Sequence, residues 1–180
     1  TGFLALYVSN PSALGGVTMS RPRILTLTNL FPTAEFPGHG LFVYERMRRV
    51  VERTGFDWEV VRPIPSVPKW LARGDYARYR ECRDHQEHNG VSMHLPRYFH
   101  LPGLSVRQQA RRVARAAAPV VERLAAQGPC VLDAHYVYPD GVAALMLGQQ
   151  LGIPTVVTVR GTDVNVLGQQ PAVRRQVRTW

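Results

Sequence analysis

Lysine is almost absent from this chain, and cysteine and long apolar runs are scarce. Lys69 is the only lysine among 22 basic residues, set against 13 acidic ones, so the net charge of +9 is carried by arginine. With abundant Ala and Val beside it, that skew reads as the codon bias of a GC-rich genome before it reads as a selected nucleic-acid surface. The excess still favours phosphate-bearing or membrane-surface partners, because a positive field attracts anions at long range. Cys82 and Cys130 are too few and too far apart for a disulfide framework, which fits a reducing compartment. No apolar run approaches the ~20 residues of a membrane span. The opening TGFLALYVSN lacks the basic n-region of a signal peptide. A nucleophile elbow, a Walker loop and carboxylates paired for hydrolysis are all missing, as are internal repeats and low-complexity tracts.

What is present is enough for one folded unit. The 180 residues are 45% apolar, with three Trp, seven Tyr and six Phe, which supports one full core and excludes global disorder. Met19, followed by SRPRILTLTN, reads as a true start, so residues 1–18 are expected to be leader or upstream sequence and residues 19–180 an incomplete domain.

RILTLTNLF, Arg23 to Phe31, alternates and is β-prone, as a first strand would be. After the loop PTAEFPGHG, the apolar set Val43, Met47, Val50, Val51 and Thr54 recurs at helical spacing and Gly55 stands where a C-terminal cap belongs. FDWEVVRP predicts a second strand, Tyr76–His88 one short helix, and GVSMHLPR a third strand. From Ser105 to Ala126 the residues Val106, Ala110, Val113, Ala117, Val120 and Leu124 form a stripe with five arginines outside it. That pattern predicts an amphipathic surface helix with Pro119 as its point of kinking. CVLDAHY predicts a strand and PDGVAALMLGQQLGIP an apolar helix capped by Asp140 and ended by Gly152. TVVTV is continuously apolar, as a central parallel strand covered on both faces should be. Alternation of this kind predicts an α/β fold with a doubly wound, mainly parallel sheet. The closing PAVRRQVRTW reads as a helix cut short.

In such a sheet, ligands sit beyond the carboxyl ends of the strands. Three loops deliver polar residues there. The first holds Gly38, His39 and Gly40 just before a helix, whose free N–H groups suit a phosphate. An ordinary strand-to-helix turn explains the two glycines equally well. A dinucleotide site is disfavoured, since Val43 stands where a third glycine should be and the second strand ends in Arg62-Pro63 without an acid for a ribose. In the second loop, His135 leaves a strand, placed to bond a sugar hydroxyl or move a proton, and Asp140 opens a helix, where capping alone explains it. The third, VRGTD, puts Arg160 at a strand tip, able to hold a phosphate or carboxylate bidentately, with Asp163 as a hydroxyl acceptor or as its salt-bridge partner. Cys82, His85 and His88 would share one face of a helix over Tyr76–His88, but no fourth ligand is evident and no metal site is expected.

Taken together, LTNLFPTAEFPGHGLFVYERMRRV and DAHYVYPDGVAALMLGQQLGIPTVVTVRGTDVN resemble the N-terminal half of family 4 glycosyltransferases of the group 1 type, which are retaining enzymes with two facing Rossmann-like domains, the GT-B fold. The likeness spans about Arg23 to Trp180 and is weak over residues 64–104. It implies transfer of a sugar from a nucleotide-diphosphate-sugar donor to a hydroxyl acceptor in polysaccharide or glycolipid biosynthesis, with no further cofactor. Gly38, His39 and Gly40 match the family's donor-diphosphate loop. His135, Asp140, Gly161, Thr162 and Asp163 match elements lining the acceptor side, with His135 and Arg160 the catalytic candidates. Many members carry His at the position of Arg160, so that role does not transfer. The donor-gripping C-terminal domain is absent from these residues, so this chain alone should not turn over.

The resemblance implies a cytoplasmic enzyme; the Arg-rich face of residues 105–126 reads first as a plain solvated face, with peripheral contact with anionic lipid at the inner face of the membrane as the alternative. A stand-alone, non-catalytic phospholigand-binding module is the rival reading. Nucleic-acid binding is disfavoured, because the arginines lack interleaved aromatics and no reading module is present.

Overall fold

The computed structural model describes residues 21–102, 108–161, 163 and 171–178. The expectations for residues 1–18 and for Thr162 lie outside them.

Strand β1, Arg23–Leu27, splits its side chains between two cores as strand periodicity requires: Ile24 faces one and Leu25 and Leu27 the other. β2 (Asp57–Val61) and β5 (Val91–His94) extend the sheet on one side of β1, and β7 (Cys130–His135) and β8 (Thr155–Thr158) on the other. All of these pairings are parallel, and β4 (His85–His88) adds an antiparallel edge, giving the order β4-β5-β2-β1-β7-β8. β3 (Ile64–Ser66) and β6 (Arg97–Phe99) form a separate parallel pair. The expected α/β, mainly parallel sheet is therefore what the chain forms, with β8 paired to β7 alone at the end of the described sheet and not at its centre.

Helix α1, Leu41–Thr54, buries Val43, Tyr44 and Met47 against Ile24, Val60 and Met93. It stops where Gly55 takes a left-handed conformation and donates its N–H to the Val51 carbonyl, the cap expected of that glycine. On the opposite face, α3 (Gln109–Ala125) and α4 (Val142–Leu151) cover Leu25, Leu27, Leu132, Ala134 and Val157. α3 contributes Val113, Ala117, Val121 and Leu124, each close to fully buried, and burial of a Val or Leu side chain stabilises by about 1.5–3 kcal/mol. The helix continues through Pro119. Of its arginines, Arg111 and Arg115 are exposed, while Arg112 donates to the Phe99 carbonyl and Arg123 lies 3.4 Å from His94. α4 sits close to β8 because Gly148 has no side chain: a Cβ there would fall 2.0 Å from Thr155 Oγ1.

One expected element is corrected. The helix over Tyr76–His88 is shorter, α2 at Asp75–Glu81, and His85–His88 is strand. Asn89 and Gly90 both take positive φ, 49° and 82°, so the Asn-Gly pair forms a tight turn and folds β4 back onto β5. Three residues apart on a strand, His85 and His88 point to opposite faces, so the shared helical face with Cys82 does not exist.

Candidate functional site

From β1 the chain moves outward to β2 and β5, and then returns to the other side of β1 for β7 and β8. The switch therefore lies between β1 and β7, whose adjoining carboxyl ends open a crevice. Register pairs Leu27 with Ala134 and His135 with Thr158, so the loops following β1, β7 and β8 start side by side.

Asp140 joins the first two of these loops. Its carboxylate accepts hydrogen bonds from Asn29 N at 2.8 Å, from Thr28 Oγ1 at 3.3 Å and from the Asn29 side-chain amide. The expected helix cap is not made: α4 begins without a side-chain cap, and Asp140 is spent instead on the β1 loop. Complete burial outweighs those three donors and pushes its pKa up to about 7. Between β7 and α4 the chain makes an irregular turn, Val137–Gly141, entered through Tyr136 at φ 73°, ψ 140°. A non-glycine residue held at positive φ costs of order 1–3 kcal/mol, and such strain collects at functional sites.

Asp163 organises the third loop. Its carboxylate accepts the Arg160 N–H at 2.7 Å and the Val137 N–H at 2.9 Å, so one acid fixes the tip of β8 and the turn after β7. Reaching back to the N–H three residues earlier is how an acid in a first helical turn satisfies an orphan donor. Burial raises its pKa, and the two amides oppose the rise.

The Arg160 guanidinium is thereby left without Asp163 as a salt-bridge partner. It lies over the Phe42 ring at 4.2 Å from the centroid, with Tyr136 at 5.9 Å, and Nη2 stands 3.2 Å from His135 Nδ1. Since guanidinium only donates, His135 Nδ1 accepts and its proton belongs on Nε2. Asp133 Oδ2 is 3.1 Å from that Nε2, off the line of a hydrogen bond, and accepts from Thr26 Oγ1 at 3.2 Å. His135 is fully buried, so it touches Arg160 and not solvent.

The glycine loop divides in two. At Gly40, φ 62°, an added Cβ would fall 2.2 Å from the Leu30 carbonyl oxygen, so glycine is required by the protein's own backbone. Gly38 is exposed and a Cβ there would meet nothing within 4 Å. His39 stacks on Phe36 at 4.7 Å, and its pKa is lowered by burial and by Arg62.

The structure thus gathers Arg160, His135 and Asp163 around Phe42 and Tyr136, and Asp140 around Thr28 and Asn29, with exposed Gly161 at the rim. Thr28, Asn29, Phe42, Arg62 and Asp133 did not stand out in the sequence. Asp133 could have been found, because D-x-H in a strand places both side chains on one face. A groove of about 470 Å³ runs along α1 from Phe42 past Arg46, Arg49 and Arg53. Among the described residues, no group of three or more His, Cys, Asp or Glu is placed to hold a metal ion. No helix among them is long and apolar enough to cross a membrane.

Fold and crevice together define a mainly parallel α/β unit with a polar crevice at its topological switch. The chain is 30% identical over 147 residues, 80% of its length, to a protein of Bacillus subtilis (strain 168) named as a teichuronic acid biosynthesis glycosyltransferase, TuaC. It spans 37% of that relative's length. No protein-family model matches the chain.

Proposed function

We propose that the chain is the N-terminal, acceptor-side part of a retaining family 4 glycosyltransferase of the GT-B type. The observation that carries this reading is the 147-residue likeness to a glycosyltransferase. It is supported by a crevice in which Arg160 is held by His135 and backed by an aromatic ring. In the reaction, the bond between the anomeric carbon and the diphosphate oxygen breaks, the nucleoside diphosphate leaves with the electron pair, and the acceptor hydroxyl passes its proton to the departing phosphate oxygen as it bonds the carbon. Arg160 is placed to meet the negative charge growing on the departing phosphate, which is where preorganised donors accelerate most. It is a poor base, and no proton transfer is assigned to it. His135, buried beneath Arg160, acts as a positioning residue. Gly38, His39, the first turn of α1 and Gly161 form the wall against which donor and acceptor lie, with the buried Asp140 and Asp163 holding the loops behind it. A second domain supplies the donor grip, and the chain by itself does not turn over. Donor, acceptor and a cytoplasmic site of action belong to this reading as proposals.

The test begins with the coding sequence downstream of Trp180. An open frame adding a second α/β domain, followed by release of nucleoside diphosphate from a panel of sugar donors by the whole protein, supports the reading. A nearby stop codon with a folded, monodisperse product that binds phosphorylated ligands replaces it with the stand-alone module.

A further inference from the structure

Arg62 follows β2 at the same carboxyl end of the sheet and is 0% exposed. Its Nε donates to the Asn29 carbonyl at 3.3 Å, whereas Nη1 and Nη2 are buried with no hydrogen-bond partner. The rings of Phe36 and Tyr79 lie 5.7 and 5.9 Å from Cζ. Ring faces attract a cation but offer no lone pair to its in-plane N–H groups. Burial lowers the Arg62 pKa, and Glu35 and Asp140 counter this only from a distance. A guanidinium taken out of water with both Nη groups unpaired is expensive, and a buried group left so calls for a partner such as water or an ion.

The neighbouring loop repeats the pattern. His39 Nδ1 is buried without a partner, and the His39 ring stacks on the same Phe36. Arg78 sits with Cζ 4.2 Å from the Phe36 centroid, so one ring gathers two arginines and a histidine. Beside them begins α1, a 14-residue helix whose first N–H groups have no intrahelical acceptor and carry its positive end.

We propose that Arg62 anchors a phosphate-type oxyanion of the ligand at the loop between β1 and α1, with His39 and the first-turn amides of α1 completing the contact. The proposal rests on the sugar-transfer reading only for which molecule bears the anion, a donor diphosphate or a phosphorylated acceptor. Because Arg62 is covered, the ligand reaches it when the segment Phe36–His39 moves aside. Gly38, with open space around it, is where that segment has room to bend.

The 180-residue chain itself serves for the test. Calorimetric titrations with inorganic pyrophosphate, inorganic phosphate and uridine diphosphate are run at matched ionic strength on wild type, Arg62→Met and the exposed control Arg115→Ala. Saturable binding that weakens at least tenfold in Arg62→Met and is unchanged in Arg115→Ala supports the proposal. Preference for pyrophosphate and uridine diphosphate assigns the anion to the donor, and equal binding of phosphate assigns it to the acceptor. Absence of saturable binding to wild type, or equal binding by a folded Arg62→Met, overturns it. Should Arg62→Met fail to fold, the Arg62 Nε–H resonance of the wild-type chain is followed through the pyrophosphate titration; a shift that saturates with binding supports the assignment and an unmoved resonance overturns it. Neither readout uses sugar transfer, so pyrophosphate binding through Arg62 without transferase activity would sink only the transfer reading, and activity without such binding would sink only this one.

Discussion

The Arg160 guanidinium packs on the ring of Phe42 at 4.2 Å, joining the tip of β8 to the first turn of α1. Each group constrains the other: the ring limits where the charge can swing, and the charge lies over a side chain that is still 41% exposed. In the whole protein, Arg160→Ala is expected to lower kcat at least tenfold with little change in Tm. Arg160→Lys should recover part of the rate, since it keeps the charge and loses the fork. Phe42→Ala removes a contact worth about 0.5–1 kcal/mol and should cost less than tenfold. Wild-type turnover by Arg160→Ala would remove Arg160 from the chemistry.

Asp163 bears on stability more than on rate. Asp163→Ala strands the amides of Arg160 and Val137, and hydrogen bonds to a charged group are each worth about 1.5–3 kcal/mol. The urea midpoint should fall accordingly, with Asp163→Asn intermediate. An unchanged midpoint would mean the two loops are held by something else.

Asp140 sets a pH dependence whose sign is unusual for a carboxylate. Its folded pKa of about 7 lies above the value of 3.8 expected when unfolded, so between those values the native state binds more protons. Stability should therefore decline as pH rises from about 4 to 7, by at most ~1.4 kcal/mol per pH unit, and level off above. Asp163 is shifted in the same direction and adds to the slope. Asp140→Asn should flatten the profile while leaving the Asp163 part; equal slopes in variant and wild type, measured by denaturation from pH 5 to 8, would contradict the assignment.

The two loop glycines should behave differently. Gly40→Ala forces a Cβ into the Leu30 carbonyl at positive φ and is expected to destabilise by more than ~1 kcal/mol. Gly38→Ala should leave Tm nearly unchanged, so any loss of ligand binding in that variant reports on the loop and not on the fold.

Cys82 is buried and its thiol is pushed up to about 11, with desolvation the main cause. Reaction with iodoacetamide at pH 7.5 should be far slower in the native chain than in urea, because the thiolate is the nucleophile. Rapid native labelling would show that the α2 region opens.

Much of this architecture could be read from sequence where periodicity and end signals agree. Helix α1 runs from Leu41 to Thr54 as its apolar spacing and Gly55 predict, and β7, α4 and β8 follow in the expected order. Reading failed at His85–His88, where tertiary pairing with β5 overrides a polar stretch that has no strand alternation of its own, although Asn89-Gly90 marks the turn. At the candidate site, positions were legible and partners were not. Asp140 looked like a cap because capping is a local bond, whereas its acceptors are used by Asn29, 111 residues away. Arg62 carried no signal, since nothing in a sequence distinguishes a buried arginine from a surface one.

That separation of 111 residues has a consequence for how the protein is made. β1, α1 and β2 leave the ribosome before β7 and α4, and the carboxylate that holds the loop between β1 and α1 follows Asn29 only after roughly 5–20 s of synthesis, at translation rates of about 5–20 residues per second. During that interval Asn29 lacks its acid, and the strands on either side of the switch cannot yet be joined. The crevice, whose first wall begins with β1, is therefore a part of the fold completed late, when Asp140 arrives to hold the loop.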